Sequence, residues 1–430
     1  MRWSIRASPS SNSMSQPIIP DVNEPEDQTF GDIVWIQFKK NRVAYWSLWG
    51  LAGLFILAIV APVIASGRPF IWNAGDGAQY PWFSSLFDRN YFENPVDVFF
   101  NLLLVLALPI VALVIFRLKQ IQKLGLDKRP RRAKIQRESR FLVLGFLVLL
   151  IGVLATPYGE PYTQYEDLRE ARLQEIEAGA STDPIQAVFP PVPYMFRKTG
   201  FKTLEKPSLK HWLGVDESTR DVAVRLLYGT RISLTIGVIA VGIYVTIGII
   251  LGSLAGFFSG KVDIVIQRLI EIVMSIPSLI IILVLVAFLE KTSIFHIMLV
   301  IGLVRWTGVA RLVRGEFYRL RGQDFVTSAV ALGFPTWKVI FHHILPNAMG
   351  PVLVAATFGV AGAILLESTL SFLGLGDLSA PSWGQTLSEG YSSGAWHLII
   401  APGFAIFLTV SLLNLVGEGL RDALDPKMRK

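Results

Sequence analysis

A reaction at a protein site needs a positioned nucleophile with its base, or a metal held by converging ligands. Side chains that could supply either are sparse here. The 430 residues include no cysteine, which removes disulfides, thiolate metal sites and a cysteine nucleophile together. The five histidines are His211, His296, His342, His343 and His397. Only His342 and His343 are adjacent, and neighbours on a helix point about 100° apart rather than toward one ion. The stretch GFFSGKVD has the glycines and lysine of a phosphate-binding loop, but it is one residue short and has Val262 where Ser or Thr would hold magnesium. The chain therefore reads as a non-enzyme, with no metal, nucleotide or cofactor of its own. Three charges matter for where they fall. Glu271, Arg305 and Glu367 lie in apolar runs, and a charge at the bilayer centre costs ~2.5–3.5 kcal/mol even on the mildest scale. Glu271 and Glu367 fall near span ends, where an interfacial placement explains them. Arg305 is deeper, and a structural pair with a polar group explains it more simply than a place in a transport path.

Those charges sit in a sequence built for lipid. Hydrophobic residues make up 52% of it and charged ones 17%. Eight windows approach the ~20 residues that a helix needs to cross the hydrocarbon layer: 43–65, 98–116, 141–155, 232–258, 269–289, 294–313, 350–366 and 398–416. Lipid offers no partner for backbone N–H and C=O groups, so each is read as a helix, and the fold class is an all-α integral membrane protein of about eight spans. Residues 1–29, rich in Ser, Pro, Asp and Glu, read as a disordered cytoplasmic tail, with Met14 as an alternative start to Met1. Residues 30–66 combine an amphipathic surface helix, carrying Ile33, Val34, Ile36 and Phe38, with the first span. Ten Lys/Arg against Asp127 and Glu138 crowd the segment 117–140. That distribution marks a cytoplasmic loop between two spans, not a nucleic-acid surface. By parity both termini are cytoplasmic and 157–231 is external. It opens on YEDLREARLQEIEAGA, read as a solvated helix in preference to a cation site.

Two motifs remain. Gly248, Gly252, Gly256 and Gly260 recur every four residues and clear one helix face for close approach by another helix, within the chain or from a partner. The segment DFVTSAVALGFPTWKVIFHHILPN falls within the expected cytoplasmic stretch 314–347. Phe325, Ala329 and Leu332 share a face there, Thr327 and Ser328 are small and polar, and Gly333 suits a left-handed helix end. Phe334-Pro335 restarts the chain, and Trp337, Ile340, Phe341 and Ile344 follow at helical spacing up to Pro346. The pattern predicts two short helices at an elbow, with small side chains open to close docking.

That segment resembles the EAA loop of ABC importer permeases. Asp324 opens it, Thr327-Ser328-Ala329 stands where Glu-Ala-Ala is usual, and Gly333 and Leu345-Pro346 match. HWLGVDESTRDVAVRLLYGTRISL, ESTLSFLGLGDLSAPSWGQTLSEG and GEGLRDALDPKMRK are similar to the C-type subunit of the dipeptide/oligopeptide/nickel branch, and FKKNRVAYWSLW to its microcin C and oligopeptide uptake subgroup. The resemblance covers about half the chain, 211–430. It implies a core of six spans including 232–430, with 97–156 as an added helical pair. It further implies a bacterial inner-membrane permease of a peptide importer. Its partners would be a second homologous permease, two ATP-binding subunits carrying ATP and magnesium, and an external substrate-binding protein. Nickel-chelate or peptide-antibiotic cargo is the alternative within the family, and a secondary transporter the alternative outside it.

The topology is open to a direct check, because no native cysteine competes for label. A single cysteine at position 180 should react with an impermeant reagent in intact cells, and one at position 133 should be protected. The reverse pattern refutes the eight-span orientation.

Overall fold

The computed structural model describes residues 30–75, 77–123, 128–155, 164–178 and 185–425. The expected tail 1–29 lies outside them. Helix α1 (Phe30–Lys40) and α2 (Arg42–Ile64) follow each other with Asn41 between, whose side chain caps α2 at Ala44 N (3.1 Å) and donates to Asp422 (3.3 Å). Phe38 of α1 is buried with Ala44 and Ala423, while Trp35 and Ile36 stay exposed. The amphipathic helix thus lies with one side on the bundle and the other free. Strand β1 (Ile71–Asn73) and the short α3 (Pro81–Ser85) precede α4 (Pro95–Lys123) and α5 (Lys128–Ala155). The expected basic loop 117–140 is therefore largely helix. Lys and Arg are good helix formers, and they carry both apolar helices past the membrane. Helix α6 (Tyr165–Glu177) has no buried residue, as its acidic sequence requires. Strand β2 (Gln186–Val188) then pairs antiparallel with β1, Ile71 opposite Val188.

Helix α7 (Val222–Phe258) begins ten residues before the expected span at 232, because Asp221 caps it by accepting from Val224 N at 3.0 Å. After it come α8 (Gly260–Met274), α9 (Ser278–Ala287), α10 (Ile294–Leu320), α11 (Asp324–Ala331) and α12 (Thr336–Lys338). A π-helical turn, Val339–Ile344, joins α12 to α13 (Leu345–Phe372), and α14 (Trp383–Ser393) and α15 (Trp396–Leu424) complete the described chain. Among the described residues seven helices are long and apolar enough to cross a membrane. The α8–α9 pair makes eight if it is one span. The expected span 269–289 is not a single helix: α8 and α9 meet within it at a 76° bend. Pro277 provides no amide hydrogen and disfavours helix at Ile276, so the run breaks where its hydropathy does not.

The main core joins α7, α8, α9, α10, α11 and α13. Its centre is a parallel contact of α7 with α10. A Cβ at Gly248 would come 2.6 Å from Val309 Cβ, one at Gly252 2.5 Å from Ala310 O, and one at Gly256 2.5 Å from Phe317 Cβ. The stripe is thus filled from within the chain. Gly260 does not belong to it. Nothing lies within 4 Å of a Cβ there, and its φ of +55° makes it the turn between α7 and α8. The segment that resembled a phosphate-binding loop is this helix junction.

A buried charge fastens α4 to the bundle. Arg231 of α7, fully buried, donates to Ala58 O of α2 (2.7 Å) and to Asp97 Oδ1 of α4 (3.0 Å), so one guanidinium joins three helices. Replacing Gly252 or Gly256 by Leu should force α7 from α10 at a cost of about 1–3 kcal/mol, read as lower membrane yield and a lower melting temperature in detergent. Unchanged stability in both variants would mean that the contact is not tight.

Candidate functional site: a helical elbow at the basic end of the bundle

The α10 terminus, α11 and the start of the α12–α13 rod meet at the end of the bundle where the basic helix termini gather. Two polar clusters hold this end. Arg314 reaches across to α8 with Nε to Asp263 Oδ1 at 2.5 Å and Nη2 to Oδ2 at 2.7 Å, and the Tyr318 hydroxyl donates to Oδ2 at 2.5 Å. This forked geometry fixes direction as well as distance. The guanidinium groups of Arg314 and Arg321 both lie 4.7 Å from the Tyr318 ring centre. Glu271, one of the expected intramembrane charges, lies near this end too. It is exposed and paired with Arg268 at 2.6 Å, three residues away on α8.

The elbow forms as its sequence dictates. Gly333 has φ +74°, its amide donates to Val330 O (2.9 Å), and Phe334 N donates to Ala329 O (3.2 Å). Those two bonds are the paired 5→2 and 6→1 closure that a left-handed glycine permits at a helix end. Pro335 precedes the next helix, where it needs no donor.

Two expectations need correction. Ala329 does not face outward for docking: it is buried with Val326 against the rest of the chain, and Phe325, Val330 and Leu332 point out instead, Leu332 77% exposed. Asp324, Thr327 and Ser328 are also exposed. Buried positions at i and i+3 set the inner face of this two-turn helix, so the apolar residues split between its sides. Second, no boundary falls at Leu345-Pro346. The helix continues from Thr336 to Phe372, 37 residues, because the π-turn, with Leu345 N donating to Ile340 O, widens the backbone one turn before the proline. Trp337 and Phe341 extend the exposed apolar patch along this rod.

The other singled-out residues lie away from the elbow. Glu367 is buried at the opposite end, where its Oε1 accepts from Ser371 (2.8 Å) and Ser382 (2.7 Å) and so ties α13 to the start of α14. Arg305 is exposed near the middle of α10. The histidines are dispersed: His211 Nδ1 meets Asp221 at 2.7 Å, His296 Nδ1 accepts from Ser293 N, and His397 Nε2 lies 3.4 Å from Val215 O. Among the described residues no three potential metal ligands converge. Sequence reasoning missed the Asp263–Arg314–Tyr318 cluster. Its signal was an Asp at the start of α8 and an Arg and a Tyr one turn apart near the end of α10.

Residues 248–430 match the family model described as binding-protein-dependent transport system inner membrane component, and residues 29–81 match that of the N-terminal TM domain of oligopeptide transport permease C. The chain is 41% identical to the oligopeptide transport system permease protein OppC of Bacillus subtilis, over 57% of this chain and 82% of that protein. It is 40% identical to a dipeptide transport system permease protein DppC of Alkalihalophilus pseudofirmus, covering 53% and 75%. With the DppC of Haemophilus influenzae it shares 36% identity over 67% of this chain and 90% of the relative. The two family models leave 82–247 between them, the stretch that holds α4 and α5. Relatedness at this identity over four fifths of a relative's length, on a multi-pass helical chain with the expected elbow, places this protein in the family of binding-protein-dependent transport system inner membrane components, the ABC importer permeases.

Proposed function

We infer that the chain is the transmembrane permease of an ATP-driven peptide importer, carrying oligopeptides or dipeptides. The relatives above are named for those cargoes. The observation that carries the coupling role is the elbow: an exposed apolar helix, closed by a left-handed glycine and continuous through Pro335 with a rod that becomes a membrane span. The basic end is cytoplasmic by the positive-inside rule, which puts α11 where ATP-binding subunits would be and both chain ends on the same side, in a bacterial inner membrane. The chain itself binds no nucleotide and catalyses nothing. ATP and magnesium sit on two partner subunits, a second homologous permease completes the path, and an external binding protein delivers cargo.

Mechanically, ATP binding draws the ATP-binding subunits together and carries α11 with them. The rod from Thr336 to Phe372, about 55 Å at 1.5 Å per residue, transmits that displacement to the opposite end. The α7–α10 contact, locked by glycines, moves as a body, and the bend at 275–277 is where adjacent helix can reorient. Such domain motion is a population shift, driven only by tighter binding of nucleotide to one state.

Leu332→Asp places a charge on the exposed face and should leave permease levels intact while lowering association with the ATP-binding subunits about tenfold. Gly333→Val forces a left-handed L-residue at ~1–2 kcal/mol, and should reduce stimulation of ATP hydrolysis by loaded binding protein. Ala329→Asp, in contrast, should lower the amount of permease itself, since it buries an unpaired carboxylate. Normal association and uptake in both Leu332→Asp and Gly333→Val would make the elbow an ordinary surface turn.

A further inference from the structure

Along α10, Arg305, Gly308, Arg311, Gly315 and Arg319 are all exposed. At about 100° per residue they fall within one sector roughly 120° wide. A Cβ at Gly308 or Gly315 would meet nothing within 4 Å, so no other described part of this chain covers the sector at those two positions. Arg305 follows Ile294, the first residue of the 27-residue helix, by eleven positions. That is about 16 Å along the axis, near the middle of a hydrocarbon layer ~30 Å thick. Its guanidinium lies beside α13, where a Cβ at Gly362 would be 3.6 Å from Nη1. The ion pairs of α10 belong to Arg314 with Asp263 and to Arg319 with Glu316, and Arg305 has none among the described residues. Arg311, about 9 Å further along, has as its side-chain hydrogen bond among the described residues the one to the weak acceptor Met274 Sδ at 3.5 Å.

An uncovered, unpaired guanidinium at this depth is incompatible with a lipid-facing surface, because neither membrane boundary is within a side chain's reach. We propose that this sector of α10 lines the water-filled transport path and that Arg305, followed by Arg311, receives anionic groups of the passing cargo, carboxylates above all. This deepens the peptide-importer reading and rests on it for the identity of the cargo. Two cations in succession let a carboxylate be held at each step weakly enough to leave it, which conduction through a path requires. The glycines between them leave room for the cargo chain. The charge also accounts for why the sector is exposed in a single permease: it faces the axis that two permeases enclose.

The assembled importer with Arg305→Cys as the only cysteine of this chain provides the test. A water-soluble sulfonated methanethiosulfonate should modify position 305 at least about tenfold faster than position 303 in Leu303→Cys, a residue exposed on another side of the same helix. Equal slow labelling at both positions would place Arg305 against lipid or protein and overturn the proposal. In uptake assays Arg305→Gln should lower import of an acidic peptide about tenfold relative to a neutral one of equal length, and Arg305→Lys should restore the ratio. Equal loss for both peptides together with loss of the second permease on purification would make Arg305 an ion-pair partner of that subunit, which also overturns the proposal. Absence of any peptide uptake by the wild-type complex would defeat the peptide reading alone, and the labelling ratio at 305 and 303 would still decide whether the sector lines the path.

Discussion

Inside a bilayer two apolar helices gain nothing from expelling water, since lipid chains are as apolar as leucine. Cohesion has to come from close packing and from polar groups that have no better partner. The α7–α10 contact meets this requirement most directly. Gly248, Gly252 and Gly256 bring the backbone of α7 onto Val309, Ala310, Val313 and Phe317 so tightly that no Cβ fits. Much else is referred to that contact. The Asp263 clamp reaches α10 from the helix that follows α7, α11 continues from the end of α10, and α13 packs beside both helices.

Polar pins secure the remaining helices, each at a place where a charge would otherwise be stranded. Arg231 satisfies its donors on Ala58 O and Asp97, binding α2 and α4 to α7. At the opposite end Asp216 accepts from Arg220 at 2.9 Å, Arg220 reaches Glu389 at 2.8 Å, and Arg225 reaches Gln385 at 3.0 Å, so α14 is held to the start of α7. Burial is the main influence on Glu389 and raises its carboxyl pKa, with Arg225 beside it pulling the other way. A buried pair of this kind adds little net stability over an apolar substitute, but losing one partner leaves the other uncompensated. Such pins specify which helices are neighbours more than they strengthen the fold.

Hydropathy made the number of membrane-crossing runs legible, because every span must hide its backbone in the same way. It could not reveal direction changes within a run. Residues 269–289 are uniformly apolar, yet Pro277 breaks them, and Pro346 breaks nothing because a π-turn precedes it. Periodicity identified the cleared face at Gly248, Gly252 and Gly256, but a repeat does not name its partner, and Gly260 kept the spacing while serving as a turn. The elbow was legible for the same reason that it forms: Gly333 and Pro335 are local signals. Which side of α11 faces inward was not, since Val326 and Ala329 are selected over Phe325 and Leu332 by the tertiary surface beneath them.

The same structure separates parts that must stay rigid from parts that can yield. Packing at the α7–α10 seam leaves no room for gradual adjustment, so that pair can only move whole. The rod that starts at Thr336 is one unbroken helix to Phe372, although Pro346 and Pro351 each withhold one backbone donor along it. Between these bodies lies the break at 275–277, and its nearest polar contact to α10 is the weak one between Arg311 and Met274. A strong bond there would tie the bend to the seam and oppose any change in its angle; a thioether acceptor allows the bend to open at little cost. Stiffness on the line from elbow to span and weakness at the bend are what a chain needs if a displacement at one end is to arrive at the other as a change of access instead of being absorbed on the way.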